Sequence, residues 1–519
     1  MGAWWEELRA RGLFKDQRPE DTELDKQLFA DGLRHEEVLI AKLEKQGFNV
    51  AHLPGTQNES DYQTTKNAMA DGYDFIWQAS VHSDEMRGSA DLLRKIKGSS
   101  SFGNWSYQPI ECKLSSSAKT TFSVQACAYC ELLTPLLGQR PNNFELYLGG
   151  GKFKEFAVDK FWAWYQLLRK RYKDFCNSFN PDIEPNDAPG DHGSWAAFIE
   201  ERLEASRDLV VVAKMRQTQR IKLKQADIHT IDDLASLPQG SKIQGLSSEA
   251  LYDLREQAKL QVAPKGPDGK PNFIAKKIKN GKGLTLLPKA NQGDIWFDLE
   301  GVQDPVLGTQ LEYLIGLSYK DRSDSDCIYK AWWAHSPKEE KKAFEQWVEW
   351  VEHRQKRFPQ LRVYHYGSYE KSAIRRLAQQ HSTKEVVVDQ WLRSELLVDL
   401  LPVVTGAIVL GEDSYSIKKV EKLYMNDRDA DVKTAGDSVV AYRNWAVSGE
   451  PKNPGEAPNG SPQLQTIEDY SREDCESTVL LHEWLLNLRQ EQGLPDQPFK
   501  PLIEAVSYTH LTLPTIYSV

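Results

Sequence analysis

The sequence predicts two α/β domains joined by a short helical region. An apolar, strand-like stretch ends in Ile110-Glu111-Cys112-Lys113, and helical patterns stand on both sides of it. A second apolar strand at residues 294–301 is followed by a hairpin partner at residues 312–319. Between these regions, Thr230 and Ser247 each precede a short helical segment and can cap it. Strands that alternate with helices are typical of α/β domains.

The composition is that of an ordinary globular chain. Its 519 residues predict roughly two to four domains, and 40% of them are hydrophobic and 27% charged. The net charge of −10 argues against a protein that coats nucleic acid by bulk charge, but it leaves room for a local basic groove. No apolar run reaches the ~18 residues that span a membrane, and the N-terminus lacks a signal-peptide pattern. We therefore expect a cytoplasmic protein with no membrane partner.

Glu111 and Lys113 form the most informative pair of residues. Side chains alternate between the two faces of a strand, so residues two apart share a face. A carboxylate at a strand end can hold a divalent metal, and a neighbouring lysine can position water or stabilise phosphate charge. The pair alone is a weak signal, because any amphipathic strand can carry it on its solvent face.

Three further elements surround this pair in the sequence. Upstream, Asp91 follows small residues and opens an apolar run, so it supplies a second carboxylate. Still further upstream, His35 lies in a helical pattern. Downstream, Gln125 and Tyr129 are four residues apart and share one helix face.

This order of elements resembles the RecB-like branch of the PD-(D/E)xK nucleases, which have a restriction-endonuclease-like fold. The resemblance covers roughly residues 25–175. It implies metal binding by His35, Asp91 and Glu111, catalysis by Lys113 with Asp91 and Glu111, and contact with DNA or ordering of the site by Gln125 and Tyr129. The implied metal is Mg²⁺ or Mn²⁺. An unrelated α/β domain with scattered polar residues is the alternative.

Cys127 and Cys130 form a C-x-x-C pattern in the same region. Some RecB-like nucleases hold an iron–sulfur cluster with one upstream cysteine and three downstream ones. This chain has no cysteine before Cys112, and only Cys176 lies within reach downstream, so the four ligands of such a cluster are not in place. We therefore expect no iron–sulfur cluster and interpret both cysteines as buried helix residues.

A second set of acidic residues lies in the C-terminal half of the chain. Asp298 and Glu300 share one face of the second apolar strand. Glu370 follows a strand and a turn and begins a helix, while Tyr470 and Asp474 are four residues apart on one helix face. Carboxylates of this kind can surround two metal ions that clamp the attacking and leaving oxygens of a phosphodiester.

The strand, its hairpin partner and the later Tyr-x-x-x-Asp resemble the tyrosine variety of the RNase H-like (DEDD-type) 3′–5′ exonucleases. The resemblance implies metal binding by Asp298, Glu300, Glu370 and Asp474, with Tyr470 orienting the attacking water. Glu370 is a departure, since this position is usually an aspartate, and its longer side chain must still meet the metal spacing. Asp399 is interpreted as a structural or substrate-side residue. The alternative is a degenerate RNase H-like fold that is retained for binding.

The stretch between the two domains resembles a helix-hairpin-helix element, in which two short helices are joined by a turn that contains Gly245. Such hairpins bind the DNA backbone through main-chain amides at a helix N-terminus. Residues 263–284 are rich in Gly, Pro and Lys, and we expect an exposed, mobile loop in which Lys276 and Lys277 track a phosphate backbone. A plain helical linker and a solvated loop without a role are the alternatives.

The predicted domains are a RecB-like nuclease domain at 1–200, a hairpin region with a basic linker at 201–288, and an RNase H-like domain at 289–505. Residues 506–519 differ from the acidic, helical pattern of the sequence before them. They are similar to translated sequencing-adapter read-through, so we expect a non-native tail. The order of domains resembles a bacterial family of RecB-like nucleases whose members usually continue into a helicase. That resemblance implies a helicase partner in the part of the protein that follows this chain.

Together these features predict a metal-dependent DNA nuclease that acts in DNA repair, recombination or defence and works with a helicase. Its expected substrate is single-stranded DNA or DNA with ends. The first alternative is a DNA-binding adaptor in which one or both nuclease domains are inactive. The second alternative is an RNA-processing exonuclease.

Overall fold

The structure is a computed structural model, and it describes residues 1–495 except 17, 19, 186–191, 267–268, 304–309, 323–325 and 427–433. The expected tail at 506–519 lies outside the described residues. Within the described part, a six-stranded sheet, a helical region and a five-stranded sheet follow one another along the chain.

The N-terminal part of the chain folds around the six-stranded sheet. Its elements are α1 (Gly2–Ala10), α2 (Glu23–Lys45), β1 (Val50–His52), α3 (Glu59–Asp71), β2 (Phe75–His82), β3 (Arg87–Ser100), β4 (Gly103–Lys113), α4 (Thr120–Leu137), β5 (Asn143–Leu148), β6 (Lys152–Ala157), α5 (Asp159–Asn177) and α6 (Ala196–Ala205). The strands lie in sequence order across the sheet. β1–β2 and β4–β5 are parallel, and the other neighbouring pairs are antiparallel.

Helices cover both faces of this sheet. Successive residues of a strand point to opposite faces. In β3, Leu92 lies in a hydrophobic core with Leu39 of α2, whereas Leu93 lies in a different core with Leu133 of α4. The strand end that carries Glu111 is therefore enclosed between α2 and α4.

The middle of the chain contains α7 (Gln217–Lys224), α8 (Ile231–Ser236), α9 (Ser248–Val262) and β7 (Phe273–Ala275). Both predicted caps are confirmed. Thr230 Oγ1 accepts a hydrogen bond from the Asp233 amide at 3.1 Å, and Ser247 Oγ accepts one from the Ala250 amide at 3.2 Å. Helices α7, α8 and α9 pack together around a separate hydrophobic core.

The C-terminal part of the chain folds around the five-stranded sheet. Its elements are β8 (Ile295–Gln303), β9 (Gln310–Tyr319), β10 (Ile328–Trp333), α10 (Pro337–Arg357), β11 (Val363–His365), α11 (Tyr369–His381), α12 (Glu385–Arg393), β12 (Leu397–Asp399), α13 (Leu400–Ala407), β13 (Ile408–Leu410), α14 (Ile417–Val420), α15 (Ala435–Ser448) and α16 (Pro462–Glu491). The strand order is β10-β9-β8-β11-β12. β8, β9 and β10 are antiparallel, and β11 lies parallel to β8 and β12, so the predicted hairpin is confirmed.

The alternation along β8 sends its acidic residues toward α16. Phe297 packs against α10, whereas Trp296 lies in the core that contains Leu485 of α16. Asp298 and Glu300 are two and four residues beyond Trp296, so they share its face of the sheet. The longest helix of the described chain therefore lies over the two carboxylates.

Part of the basic stretch at residues 263–284 is anchored, and the expectation of a mobile loop is wrong there. β7 pairs antiparallel with β13 in a two-stranded sheet. Lys276 Nζ donates to the Thr405 carbonyl oxygen at 3.0 Å, and Lys214 Nζ donates to the same oxygen at 3.3 Å. This carbonyl lies in the last turn of α13, where backbone acceptors lack helical partners. Strand pairing and helix capping, which the Gly-, Pro- and Lys-rich composition does not reveal, fix this segment.

Helix α2 also contacts the C-terminal part of the chain. Asp31 of α2 pairs with Arg443 of α15 at 2.5 Å, and both side chains are mostly buried. Beside this pair, Gln27 Nε2 donates to Asn444 Oδ1 at 3.0 Å. One helix therefore supports the first sheet and touches the second domain.

A helix that crosses a bilayer needs about 20 mainly apolar residues. No helix in the part of the chain that the structure describes is both long enough and apolar enough to do so.

The first prediction concerns acid stability and His482 of α16. This ring is buried and packs at a tilt against Tyr364, with ring centroids 3.9 Å apart, and burial lowers its pKa to about 3. The unfolded chain takes up a proton near pH 6.5, whereas the folded chain resists it, so the stability contributed by neutral His482 is lost as the pH falls from 6.5 toward 3. The free energy of unfolding should fall when the pH is lowered from 7 to 5. We expect this fall to be about 1–2 kcal/mol smaller in His482→Phe than in the wild type.

Urea unfolding at the two pH values measures this difference. His353→Phe is the matched control, because His353 lies exposed on α10. An equal acid loss in the wild type and His482→Phe would contradict the prediction.

Candidate functional site

Three carboxylates meet between β8 and α16. One oxygen each of Asp298, Glu300 and Asp474 lies within 4.8 Å of the others. Among the described residues, this is the one group of three or more acidic, histidine or cysteine ligands with such spacing. The structure thus brings together three of the four carboxylates that the sequence pattern predicts as metal ligands.

A glycine allows α16 to approach the hairpin. Gly316 of β9 lies directly opposite Asp298. A Cβ atom at this position would lie 2.4 Å from Ser471 Oγ and 2.7 Å from the Tyr329 hydroxyl. Any larger residue would therefore push away the helix turn that carries Asp474.

Burial and mutual repulsion shape the charge of this group. Burial, followed by the charge of Asp474, raises the pKa of Glu300 to about 8. Burial and the charges of Glu300 and Asp474 also raise the pKa of Asp298. The Tyr313 hydroxyl donates to Glu300 at 3.4 Å and so offsets part of this cost. Full ionisation of the three carboxylates is therefore unfavourable on its own, and a bound cation would relieve that cost.

Glu370 stands beside the three carboxylates but is not part of the closest set. It lies in the first turn of α11, and its charge contributes to the raised pKa of Asp298. Its Oε2 atom is 3.3 Å from His365 Nδ1. The neighbouring Tyr369 hydroxyl donates to Glu312 at 2.8 Å and fixes the start of the helix. A fourth carboxylate is therefore available next to Asp298.

The donor set fits a hard divalent cation. Asp298 Oδ2 is a buried oxygen for which no hydrogen-bond partner occurs among the described residues. Buried carboxylate oxygens are costly unless they are paired or bind a metal. Carboxylates suit Mg²⁺ and Mn²⁺ better than soft metals. Asp298, Glu300, Asp474 and Glu370 are the residues that could hold such ions.

Tyr470 and Lys418 border the carboxylates. The Tyr470 hydroxyl is hydrogen-bonded to Asp474, and burial raises the pKa of Tyr470. Lys418 Nζ lies 2.5 Å from Asp474 Oδ1 and 4.6 Å from the centre of the Tyr470 ring. The sequence analysis missed Lys418, because its four-residue helix gives no periodic signal and only the fold brings it to this place.

In the first domain, Asp91 and Glu111 lie side by side on β3 and β4. Leu92 pairs with Ile110 in the antiparallel ladder, so the next position along the ladder places Asp91 opposite Glu111. Asp91 Oδ2 accepts a hydrogen bond from the Cys112 amide at 2.7 Å. Burial, followed by the charge of Glu111, raises the pKa of Asp91 to about 7.

Lys113 contacts Glu111, as expected for residues that share a strand face. Its ammonium forms a salt bridge with Glu111 Oε1. Burial alone would lower the pKa of Lys113, but the charge of Glu111 and the hydrogen bond to it raise the pKa above its ordinary value. A charged lysine therefore stands beside two carboxylates at the end of β4.

Glu36 is a further acidic residue at this place, and the sequence analysis missed its role. It accepts hydrogen bonds from Trp77 Nε1 at 2.8 Å and Gln78 Nε2 at 2.7 Å. Burial, followed by the charge of Asp91, raises the pKa of Glu36 to about 7. Glu36, Asp91 and Lys113 line one cavity of about 540 Å³. The sequence offered one signal for Glu36, which is its position directly after His35 in the helical pattern.

The other predicted residues of this domain occupy structural positions. The His35 ring stacks on Tyr147 with centroids 4.6 Å apart, and its role as a metal ligand stays a prediction. Tyr129 donates from its hydroxyl to the Ser89 carbonyl oxygen at 2.7 Å, and Gln125 Nε2 donates to that hydroxyl at 3.4 Å. Tyr129 thus ties α4 to β3 two residues from Asp91, and DNA contact by the pair stays a prediction.

The cysteines and Asp399 have positions that agree with their structural interpretation. Cys127 and Cys130 are buried in α4, and burial raises the pKa of the Cys127 thiol to about 11. Asp399 Oδ1 accepts the amides of Gly367 and Leu401 at 2.8 and 2.9 Å. Its carboxylate therefore closes the turn after β12.

The proposed DNA contacts of the middle region remain predictions. Gly245 has a φ of +79°, a left-handed conformation that favours glycine. Its carbonyl oxygen accepts a hydrogen bond from Lys222 Nζ at 2.5 Å. Lys276 is held at the end of α13 by its hydrogen bond to Thr405, and Lys277 is exposed.

Comparison with known families supports the C-terminal domain. Residues 295–486 match the model of the RNase_H superfamily. The match extends from β8 to α16 and includes all four carboxylates, and it supports an RNase H-like domain in this part of the chain. No curated protein matches the chain.

The second prediction concerns metal binding by this domain. We expect Asp474→Asn to weaken Mn²⁺ binding by about tenfold or more, since even the loss of a residue behind a metal ligand costs about 10–100-fold. Titration calorimetry of the nucleic-acid-free protein measures the dissociation constant. An Asp91→Asn background removes any contribution from the first domain.

Asp469→Asn is the matched control, because Asp469 lies exposed one turn earlier on α16 and pairs with Arg472. Equal Mn²⁺ affinity in the two variants would show that Asp474 is not a ligand.

Proposed function

We propose that this protein is a divalent-metal-dependent DNA nuclease with two active sites. The main support for this proposal is the group of Asp298, Glu300 and Asp474, which lies inside the region that matches the RNase_H superfamily. The superfamily match supports hydrolysis of nucleic acid. The choice of DNA, of Mg²⁺ or Mn²⁺, and of a cytoplasmic role in repair, recombination or defence belongs to the proposal.

In the second domain, the chain supplies four carboxylates and a tyrosine at their edge. When bound, two divalent ions would activate a water and offset charge on the phosphate. Asp298, Glu300, Asp474 and Glu370 hold that position. Tyr470 keeps its hydroxyl proton at neutral pH, because burial raises its pKa, and it can orient the attacking water. The proposed reaction is trimming of a 3′ end.

In the first domain, we propose a PD-(D/E)xK site. The adjacent carboxylates of Asp91 and Glu111 support metal binding, and the charged Lys113 ammonium can stabilise the scissile phosphate or the attacking hydroxide. Glu36 lines the same cavity and offers another carboxylate. His35 remains a proposed ligand on the strength of the resemblance.

The middle region would guide the substrate strand. Gly245 and the lysines at 276 and 277 are the proposed contacts with the DNA backbone. A helicase that follows this chain would separate the strands, and this partner rests on the resemblance alone.

Two other functions receive support from specific observations. Glu370 replaces the usual aspartate and lies outside the closest carboxylate set, which favours a binding role for the second domain. The superfamily match does not distinguish DNA from RNA, so an RNA-processing exonuclease is the other candidate. Matched DNA and RNA strands separate these possibilities in the assays below.

The third prediction is loss of 3′-end trimming in Asp298→Ala. We expect a fall of about a hundredfold or more, the range observed when a group that stabilises transition-state charge is removed. The assay follows end-labelled single and double strands with Mn²⁺. Asp469→Ala should behave as the wild type. Unchanged trimming in Asp298→Ala would exclude the second domain as its source.

The fourth prediction is loss of cleavage by the first domain in Lys113→Ala. The assay uses an Asp298→Ala background, so that the second domain is silent. We expect cleavage to fall by about a hundredfold or more while the affinity for DNA stays within about threefold, because Lys113 acts on developing charge rather than on binding. Lys119→Ala, at an exposed lysine before α4, is the control. Retained cleavage would exclude the PD-(D/E)xK assignment.

A further inference from the structure

Lys418 occupies a position that the carboxylate mechanism does not require. Its ammonium lies 2.5 Å from Asp474 Oδ1 and 4.6 Å from the centre of the Tyr470 ring. The side chain is 30% exposed, whereas that of Asp474 is 13% exposed. Lys418 therefore borders the carboxylates on their solvent side, from which a nucleic-acid strand would arrive.

The fold holds this lysine in place through the C-terminal end of its short helix. Val420 of α14 is buried in the core of the second domain. The next residue, Glu421, accepts a hydrogen bond from Ser477 Oγ of α16 at 3.2 Å. Because Ser477 lies three residues after Asp474, the two helices keep a fixed spacing where Lys418 meets Asp474.

Charge explains why a cation is needed at this border. A phosphodiester is anionic, and it must approach Asp298, Glu300, Asp474 and Glu370. Bound metal ions would offset part of this negative charge at the centre, and a cation on the solvent side would offset charge on the outer phosphate oxygens. Lysine is a compact, flexible charge that can change partners over a short distance.

We propose that Lys418 is a phosphate-contacting residue that exchanges partners. In the metal-free protein Lys418 pairs with Asp474. Once a divalent cation binds Asp474, the Lys418 ammonium turns to a phosphate oxygen of the substrate strand. This inference rests on the proposed nuclease function of the second domain. It assigns a substrate contact that the sequence pattern does not include.

Lys419 provides a matched control on the same helix. Its side chain is 33% exposed, close to the value for Lys418, and it pairs with Asp413 at 3.0 Å and Glu412 at 3.5 Å. It therefore resembles Lys418 in exposure, charge and helix position but contacts different carboxylates.

The first test measures Mn²⁺ binding without nucleic acid, in the Asp91→Asn background. Lys418→Ala removes the cation that competes for Asp474, so we expect the Mn²⁺ dissociation constant to fall about fivefold, the size of effect of one partly exposed ion pair. Lys419→Ala should leave it unchanged. An unchanged or weaker Mn²⁺ affinity in Lys418→Ala would overturn partner exchange, since the lysine would then only support Asp474.

The second test measures binding of a fluorescent single strand with a phosphorothioate 3′ end in the presence of Ca²⁺. We expect Lys418→Ala to weaken binding about five- to tenfold, as for the loss of one charged phosphate contact, and Lys418→Arg to restore at least half of the lost affinity. Equal affinity in Lys418→Ala and Lys419→Ala would overturn the phosphate contact.

Failure of the proposed function has a different signature. A wild-type protein that binds Mn²⁺ and the strand but leaves every DNA and RNA substrate intact would refute nuclease activity, while the two dissociation constants would still decide the role of Lys418. A wild-type protein that binds no Mn²⁺ would refute both.

Discussion

The close approach of Asp298, Glu300 and Asp474 is the constraint on which the C-terminal domain depends. Three acidic groups lie within 4.8 Å of one another in a buried place, and both burial and repulsion oppose their ionisation. The chain holds them there because β8 is packed on both faces, with α10 on one side and α16 on the other. Gly316 removes the side chain that would keep α16 away. Hydrophobic packing thus stabilises an arrangement of charges that would separate in a flexible chain.

Helix α15 connects this group to the first domain. Ser438 is hydrogen-bonded to the Tyr313 hydroxyl at 2.7 Å and to Glu300, so α15 touches the carboxylates. Five residues later, Arg443 pairs with Asp31 of α2, the helix that also carries Glu36. Helix α2 therefore borders the first candidate active site, and α15 borders the second. A change in how α2 packs on α15 would reach both sites through direct contacts.

The sequence predicts features that depend on local periodicity and misses those that depend on tertiary packing. Alternation along β4 and β8 places Glu111 with Lys113 and Asp298 with Glu300, and the structure keeps each pair on one face. Caps at Thr230 and Ser247 are readable for the same reason, because they act within one helical turn. The anchored segment at Lys276 was missed, since its partners lie more than a hundred residues away.

The two candidate sites show how this limit affects functional residues. Each places a lysine against an acidic residue: Lys113 contacts Glu111, and Lys418 contacts Asp474. In the first site the two residues are neighbours on one strand, so the pair is visible in the sequence and survives wherever β4 forms. In the second site the lysine comes from a helix of four residues that is fixed by the contact of Glu421 with Ser477. A shift of α14 would therefore change the charge of the second site and leave that of the first unaltered. The chemistry of the second site thus depends on tertiary packing, whereas the lysine–glutamate pair of the first depends on a single strand.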